Sequence, residues 1–164
     1  MFSGHVDVHF PVIGNPNFDD SDQPYFFSTA TLWKVNFYLY THKDLSFDMD
    51  KLGELNLLTD SAHTEYFDFE IKPSTNMKGA IQMVERKRVD SLIYAEPAID
   101  PLISSLNLKN IKRTYYATYN VKALIHKSDR AGTIDQLLTK AIGKLNRSGE
   151  LAELTAMLTG QSKD

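Results

Sequence analysis

The chain has 164 residues, 42% hydrophobic, 24% charged and 11% aromatic, with a net charge of −3 and no cysteine. This composition fits one ordinary domain, or two small lobes, with a real core, and excludes disordered, collagenous and coiled-coil chains. The lack of cysteine excludes disulfide scaffolds, thiolate metal sites and cysteine nucleophiles. Weak negative charge argues against binding nucleic acid through its phosphates. No run reaches the roughly 18 apolar residues of a membrane helix, and the Met1 end lacks a basic-then-apolar leader pattern. The whole charge excess lies in residues 1–44, where Asp7, Asp19, Asp20, Asp22 and Asp44 face only Lys34 and Lys43. A site drawing on that segment favours cations over phosphates.

Strand-like runs are expected at Val6–Val12, Val35–Tyr40, Leu55–Thr59, Phe67–Ile71, Val89–Ala95, Lys112–Tyr116 and Asn120–Ile125. Helical stripes interleave with them: Met77, Ala80, Ile81 and Val84, then Ile99, Leu102, Ile103 and Leu106. Further on, Ile134, Leu137, Leu138, Ala141, Ile142 and Leu145 form one amphipathic stripe, with Thr133 and Gln136 as a capping box and Gly149 as its stop. Leu151, Leu154 and Leu158 mark a last helix. Strands alternating with helices predict an α/β chain with a largely parallel sheet.

Two motifs recur in the same order. Val6-Asp7 opens an apolar run as Val89-Asp90 does, and Thr41-His42-Lys43-Asp44 closes a strand as His126-Lys127-Ser128-Asp129 does. The repeat implies two similar lobes visited in turn. The second copy has a helix, Met77–Glu85, and a strand before its Val-Asp run, whereas the first has only Met1-Phe2-Ser3. The first lobe is therefore expected to be incomplete, with an unpaired sheet edge that invites a partner.

The run Gly79–Tyr94, with Arg88-Val89-Asp90 at its centre, resembles the "helix, Gly-Arg-Val-Asp, apolar strand" signature of bacterial extracellular solute-binding proteins of family 3. Those are the amino-acid-type binding proteins of ATP-binding cassette importers. The tail Thr133–Arg147 followed by Ser148-Gly149-Glu150-Leu151 is similar to their closing pair of helices, and Gly4–Asp7, Tyr25–Ser28 and Lys34–Asp44 follow their first-lobe order. The resemblance implies a two-lobe periplasmic-binding-protein-like (type 2) α/β fold with two crossover strands, entered about one third of the way along. By it, residues 1–34 and 128–164 are a partial first lobe, 45–118 the second, and 35–44 and 119–127 the hinge strands. It also implies a small polar ligand, a membrane permease or sensor as partner, a periplasmic location and no catalysis.

The site carries over position by position. The family's Arg, which forks a ligand α-carboxylate about twelve residues after the first Val-Asp aspartate, is replaced by Asp19. The family's ammonium-binding Asp falls on Ala95, with Glu96 beside it. Thr59-Asp60-Ser61-Ala62 stands where relatives offer hydroxyls and backbone N–H groups, and Pro11 and Tyr94 complete the expected ligand-binding set. Such acidic and aromatic walls suit a cationic or uncharged polar solute rather than an ordinary α-amino acid.

Other motifs read as structural. His5, Asp7 and His9 alternate as strand ligands to a metal would, but Asp7 is read as the structural aspartate of the repeat and no metal or other cofactor is expected. Glu85-Arg86-Lys87-Arg88 is read as a basic helix end and Asp19-Asp20-Ser21-Asp22 as a solvated turn. Two alternatives to solute binding stand: an interaction module that completes its fold by homodimerisation, and a lyase or hydrolase using Glu65, Glu70 or Glu96.

Overall fold

The computed structural model describes residues 6–159. In chain order the elements are β1 (Val8–Ile13), β2 (Tyr25–Phe27), β3 (Trp33–His42), β4 (Leu57–Asp60), β5 (Lys72–Ser74), α1 (Met77–Glu85), β6 (Ser91–Ala95), α2 (Glu96–Ser105), β7 (Ile111–His126), α3 (Ala131–Ser148) and α4 (Glu150–Thr159). Short 3-10 turns occupy Met49–Glu54 and Thr64–Tyr66. The chain divides into two compact units: residues up to Val35 with those from Tyr119 onward, and Asn36–Thr118. β3 and β7 contribute residues to both.

In the first unit the end of β7 pairs antiparallel with two strands. Val8 lies opposite Ile125 and Ile13 opposite Val121 on β1, with a register shift between His9 and Val12. Tyr25 to Phe27 of β2 face His126 to Leu124. Ser28, wholly buried after β2, accepts the Ala123 N–H and donates to the Ala30 carbonyl. α3 begins at Ala131 behind Arg130, which makes no side-chain cap, so the capping box expected at Thr133 and Gln136 is not formed. The N-cap is Arg130, three residues before the expected Thr133, and the first helical residue, Ala131, is buried. Gly149 does end the helix, at φ +83°, the left-handed region that glycine enters without a Cβ penalty.

The second unit runs β7-β3-β6-β4-β5 across its sheet. β3 and β6 are antiparallel, with Tyr38 opposite Tyr94 and Thr41 opposite Ser91, whereas β4 is parallel to both β5 and β6. With the antiparallel pairs of the first unit, this corrects the expectation of a largely parallel sheet. One face is covered by α1 and α2: Ile81, Val84 and Ile99 pack fully buried against Tyr40, Leu58 and Leu92. Each such aliphatic side chain contributes about 1.5–3 kcal/mol when withdrawn from water. Asn76 caps α1 by accepting the Gly79 N–H, and a Cβ at Gly79 would stand 2.8 Å from that capping side chain.

Two strand assignments change. Phe67–Ile71 is not a strand; β5 starts at Lys72. Phe67 and Ile71 are nonetheless buried and Asp68 and Glu70 exposed, because the segment, bent at Asp68 and Phe69, lays Phe67 and Phe69 against the Tyr116 ring without joining a ladder. Lys112–Tyr116 and Asn120–Ile125 are one continuous strand, β7.

The repeated motifs are used in a crossed fashion. Val8, just after Asp7, pairs with Ile125, two residues before Lys127; Ser91, just after Asp90, pairs with Thr41, two residues before Lys43. Each unit thus takes one motif from each copy. Asp90 accepts the Asn56 N–H at 2.7 Å, and Asp7 accepts from Arg130 at 2.6 Å.

Candidate functional site

β4 and β6 are parallel neighbours, so their carboxyl ends emerge side by side. The chain then turns away in both, which leaves polar side chains at the sheet end, where open α/β sheets hold ligands. β4 ends on Asp60 and β6 on Tyr94 and Ala95. After Asp60 the chain makes a tight turn: Asp60 Oδ1 accepts the Ala62 N–H at 2.9 Å and lies 3.1 Å from His63 Nδ1. That turn brings the His63 ring against three aromatic rings, with centroids 4.8 Å from Tyr66, 5.4 Å from Tyr94 and 5.8 Å from Phe37. Tyr94 and Phe37 also meet each other at 5.5 Å.

The electrostatics follow from this packing. Burial pushes the His63 imidazole below its ordinary value, against the opposing pull of its hydrogen bond to Asp60. Burial raises the Tyr66 phenol to about 12, helped by Tyr94 and Glu65, and raises Tyr94 with help from Asp60. Both tyrosines are therefore neutral donors at physiological pH and His63 is mostly uncharged. The side chain of Asp60 keeps 25% of its surface and that of His63 12%. Among the described residues, Asp60 Oδ2 and the Tyr94 hydroxyl make no hydrogen bond.

The expected site residues are dispersed over this framework. Thr59 is fully buried and spends its hydroxyl on the Ile93 carbonyl. Ser61 is exposed, and its N–H donates to the Ser74 carbonyl. The backbone N–H groups of Ala62 and His63 are engaged within the turn by Asp60, and that of Ser61 is engaged by β5. Glu96, first residue of α2, accepts from Arg113 Nη1 at 2.9 Å; Arg113 also pairs with Asp100 and lies 4.6 Å over the Tyr38 ring. Asp100 in turn accepts from the buried Tyr40 hydroxyl at 2.8 Å. Pro11 is exposed in β1, at the register shift. Asp19 is exposed in the loop before β2, and its carboxyl is held low by the Ser21 N–H it accepts.

Asp60 and Tyr94 are thus brought together, and Thr59 is committed to the core. Pro11 and Asp19 belong to the first unit, the other five to the second. Sequence reasoning missed His63, Tyr66 and Arg113. The available signal was spacing: His63 stands three residues after Asp60, within reach of a carboxylate that starts a turn. His5 lies outside the described residues, and among those described no group of three or more His, Asp or Glu is placed to hold a metal ion. Two surface hollows of the second unit lie elsewhere, one lined by His42, Asp44, Lys87 and Asp90, the other by Glu54, Asn56, Glu70 and Lys72. Neither contains an expected site residue.

No protein-family model matches the sequence, and no curated protein does. Solved structures do match. The arginine-, lysine-, histidine-binding protein ArtJ from Geobacillus stearothermophilus superposes with a TM-score of 0.67 at 16% identity, over 99% of this chain and 73% of that one. A histidine kinase sensor domain with similarity to periplasmic binding proteins gives a TM-score of 0.71 at 15% identity, over 95% and 71%. The GluR0 ligand-binding core in complex with L-glutamate gives 0.67 at 16% identity, over 96% and 72%. At these identities the likeness speaks for architecture alone, and the architecture is the type 2 periplasmic-binding-protein α/β fold, of which the chain spans about seven-tenths.

Proposed function

We propose that the chain is a non-catalytic solute-binding domain that captures a small polar molecule and delivers it to a membrane permease or a sensor outside the cytoplasm. One observation carries the reading: at the carboxyl ends of parallel strands β4 and β6, Asp60 and Tyr94 meet His63, Tyr66 and Phe37. This is a part-exposed polar rim on an aromatic floor, at the place where the fold holds ligands. Solved structures of the same fold are described as binding arginine, lysine, histidine or glutamate. Residues 35–44 and 119–127 are the crossover strands of this reading.

A thermal-shift screen over amino acids, polyamines, organic acids and sugars, confirmed by calorimetric titration, tests it. A true ligand at 100 times its dissociation constant adds about 2.7 kcal/mol of stability. The expected result is one saturable class of hit, weakened by Tyr94→Ala. Absence of a shift with every class overturns the proposal.

A second reading, self-association, rests on a different observation. In the first unit Phe10 and Leu137 are each 61% exposed and Met157 71%. Only Ile142 of the α3 stripe is buried. Ile134, Leu138 and Leu145 are half-buried, and an apolar stripe left this incompletely covered, with Leu137 exposed at its edge, suits a partner surface. The expected outcome is a dimer by light scattering at micromolar concentration, converted to monomer by Leu137→Glu. A monomer in the unsubstituted chain refutes self-association and leaves solute binding standing.

A further inference from the structure

From the chemistry of the β4–β6 rim we infer that the solute is an organic cation, recognised by its ammonium head alone: Asp60 is the counter-ion and the part-exposed rings of His63, Tyr66 and Tyr94 are the wall, with Phe37 buried beneath them. The inference rests on the solute-binding reading and adds the charge class and the residues that select it.

Three features point the same way. First, Asp60 and Glu65, both anionic, act on this cluster, Asp60 on His63 and Tyr94 and Glu65 on Tyr66. The nearby Arg113 is already committed to Glu96 and Asp100, so it offers no free partner for a ligand carboxylate. Second, Asp60 uses Oδ1 to build the turn, through Ala62 and His63, while its side chain keeps a quarter of its surface exposed. Third, the part-buried rings of His63, Tyr66 and Tyr94 pack into one cluster beside Asp60, and aromatic faces attract cations through their quadrupole. A neutral solute gains little from such a wall, and an anion is repelled by it.

His63 makes the site pH-sensitive. The titratable groups packed on it are Asp60 from β4, Tyr66 from its own turn and Tyr94 from β6; the remaining neighbour, Phe37 of β3, does not titrate. Because both phenols are neutral, the relevant equilibrium is that of the His63–Asp60 pair. An uncharged imidazole leaves Asp60 its full negative charge for the ligand. A protonated one supplies a competing cation 3.1 Å away. Affinity for a cation therefore falls as pH drops below the ordinary imidazole value of 6.5 and the buried ring takes up its proton.

The test uses two isosteric pairs on the unsubstituted chain by calorimetric titration: choline against 3,3-dimethylbutan-1-ol, and 1,5-diaminopentane against pentane-1,5-diol. At least one cation is expected to bind about tenfold or more tighter than its neutral partner. Asp60→Asn is expected to remove that preference, and His63→Gln, which keeps a hydrogen-bonding side chain without the charge, to flatten the pH dependence between pH 7 and pH 5. If a neutral or anionic solute from the wider screen binds while neither cation does, or binding is unchanged in Asp60→Asn, the cation assignment fails and the solute-binding reading survives. If no solute binds at all, both fail.

Discussion

Phe37→Ala is expected to lower the stability of the Asn36–Thr118 unit by about 3–5 kcal/mol, the usual range for truncating a buried phenylalanine. Phe37 is wholly buried on β3, and its ring packs on both Tyr94 and His63. Truncation therefore opens a cavity directly beneath the candidate site. Small domains have only about 5–15 kcal/mol in total, so the loss should be plain in a urea transition monitored by circular dichroism. Phe37→Leu keeps much of the volume and should cost considerably less. Equal losses for the two variants would show that the ring contacts, rather than filled space, hold this region. A loss below about 1 kcal/mol for Phe37→Ala would show that the site floor is not part of the cooperative core.

Ser28→Ala is expected to destabilise the first unit by about 2–3 kcal/mol, large for the removal of one oxygen atom. The reason is that Ser28 Oγ serves two backbone groups, accepting the Ala123 N–H at 3.1 Å and donating to the Ala30 carbonyl at 2.8 Å. Its own N–H and carbonyl are also engaged, with the Ala123 carbonyl and Lys122 Nζ. Deleting the hydroxyl strands the buried Ala123 N–H and the part-buried Ala30 carbonyl, which costs more than a solvent-exposed hydrogen bond contributes. Ser21→Ala, at an exposed loop position, is the matched control and should fall within about 0.5 kcal/mol of the parent. The measurement is chemical denaturation of the three proteins side by side, and a Ser28→Ala variant as stable as the control would refute the argument.

Much of this architecture was legible in the residues. The stripe Met77, Ala80, Ile81 and Val84 reads as a helix, and it is one, with Ala80, Ile81 and Val84 turned to the core. Gly149 reads as a helix stop and adopts the left-handed conformation such a stop needs. The alternation of Phe67, Phe69 and Ile71 correctly marks the inward side chains but wrongly implies a ladder. Burial of alternate residues requires only that their side chains meet a packed surface, here across a bend at Asp68 and Phe69, whereas a strand needs a neighbour's hydrogen bonds as well, and those are not a property of the segment.

The site divides along the same line. Asp60 and Tyr94 entered the expected site through the family resemblance, which sets Asp60 in the loop after one strand and Tyr94 at the end of another, and the structure places them at the ends of β4 and β6. His63, Tyr66 and Phe37 did not enter it. Their grouping depends on a turn closed by Asp60 and on the lateral order of β3, β6 and β4, which places residues 37, 63 and 94 in ring contact. Glu96 shows the reverse: an acidic residue in the expected neighbourhood is tied to Arg113, seventeen positions away. By itself the sequence determined where the helices and the longer strands form, which faces are apolar and how its two copies of a motif are spaced, because these follow from local periodicity, while the short strands β2 and β5 escaped it. Only the tertiary structure decided which strands are neighbours and in which direction, and hence which polar groups are consumed by the fold and which remain at the sheet end to meet a ligand.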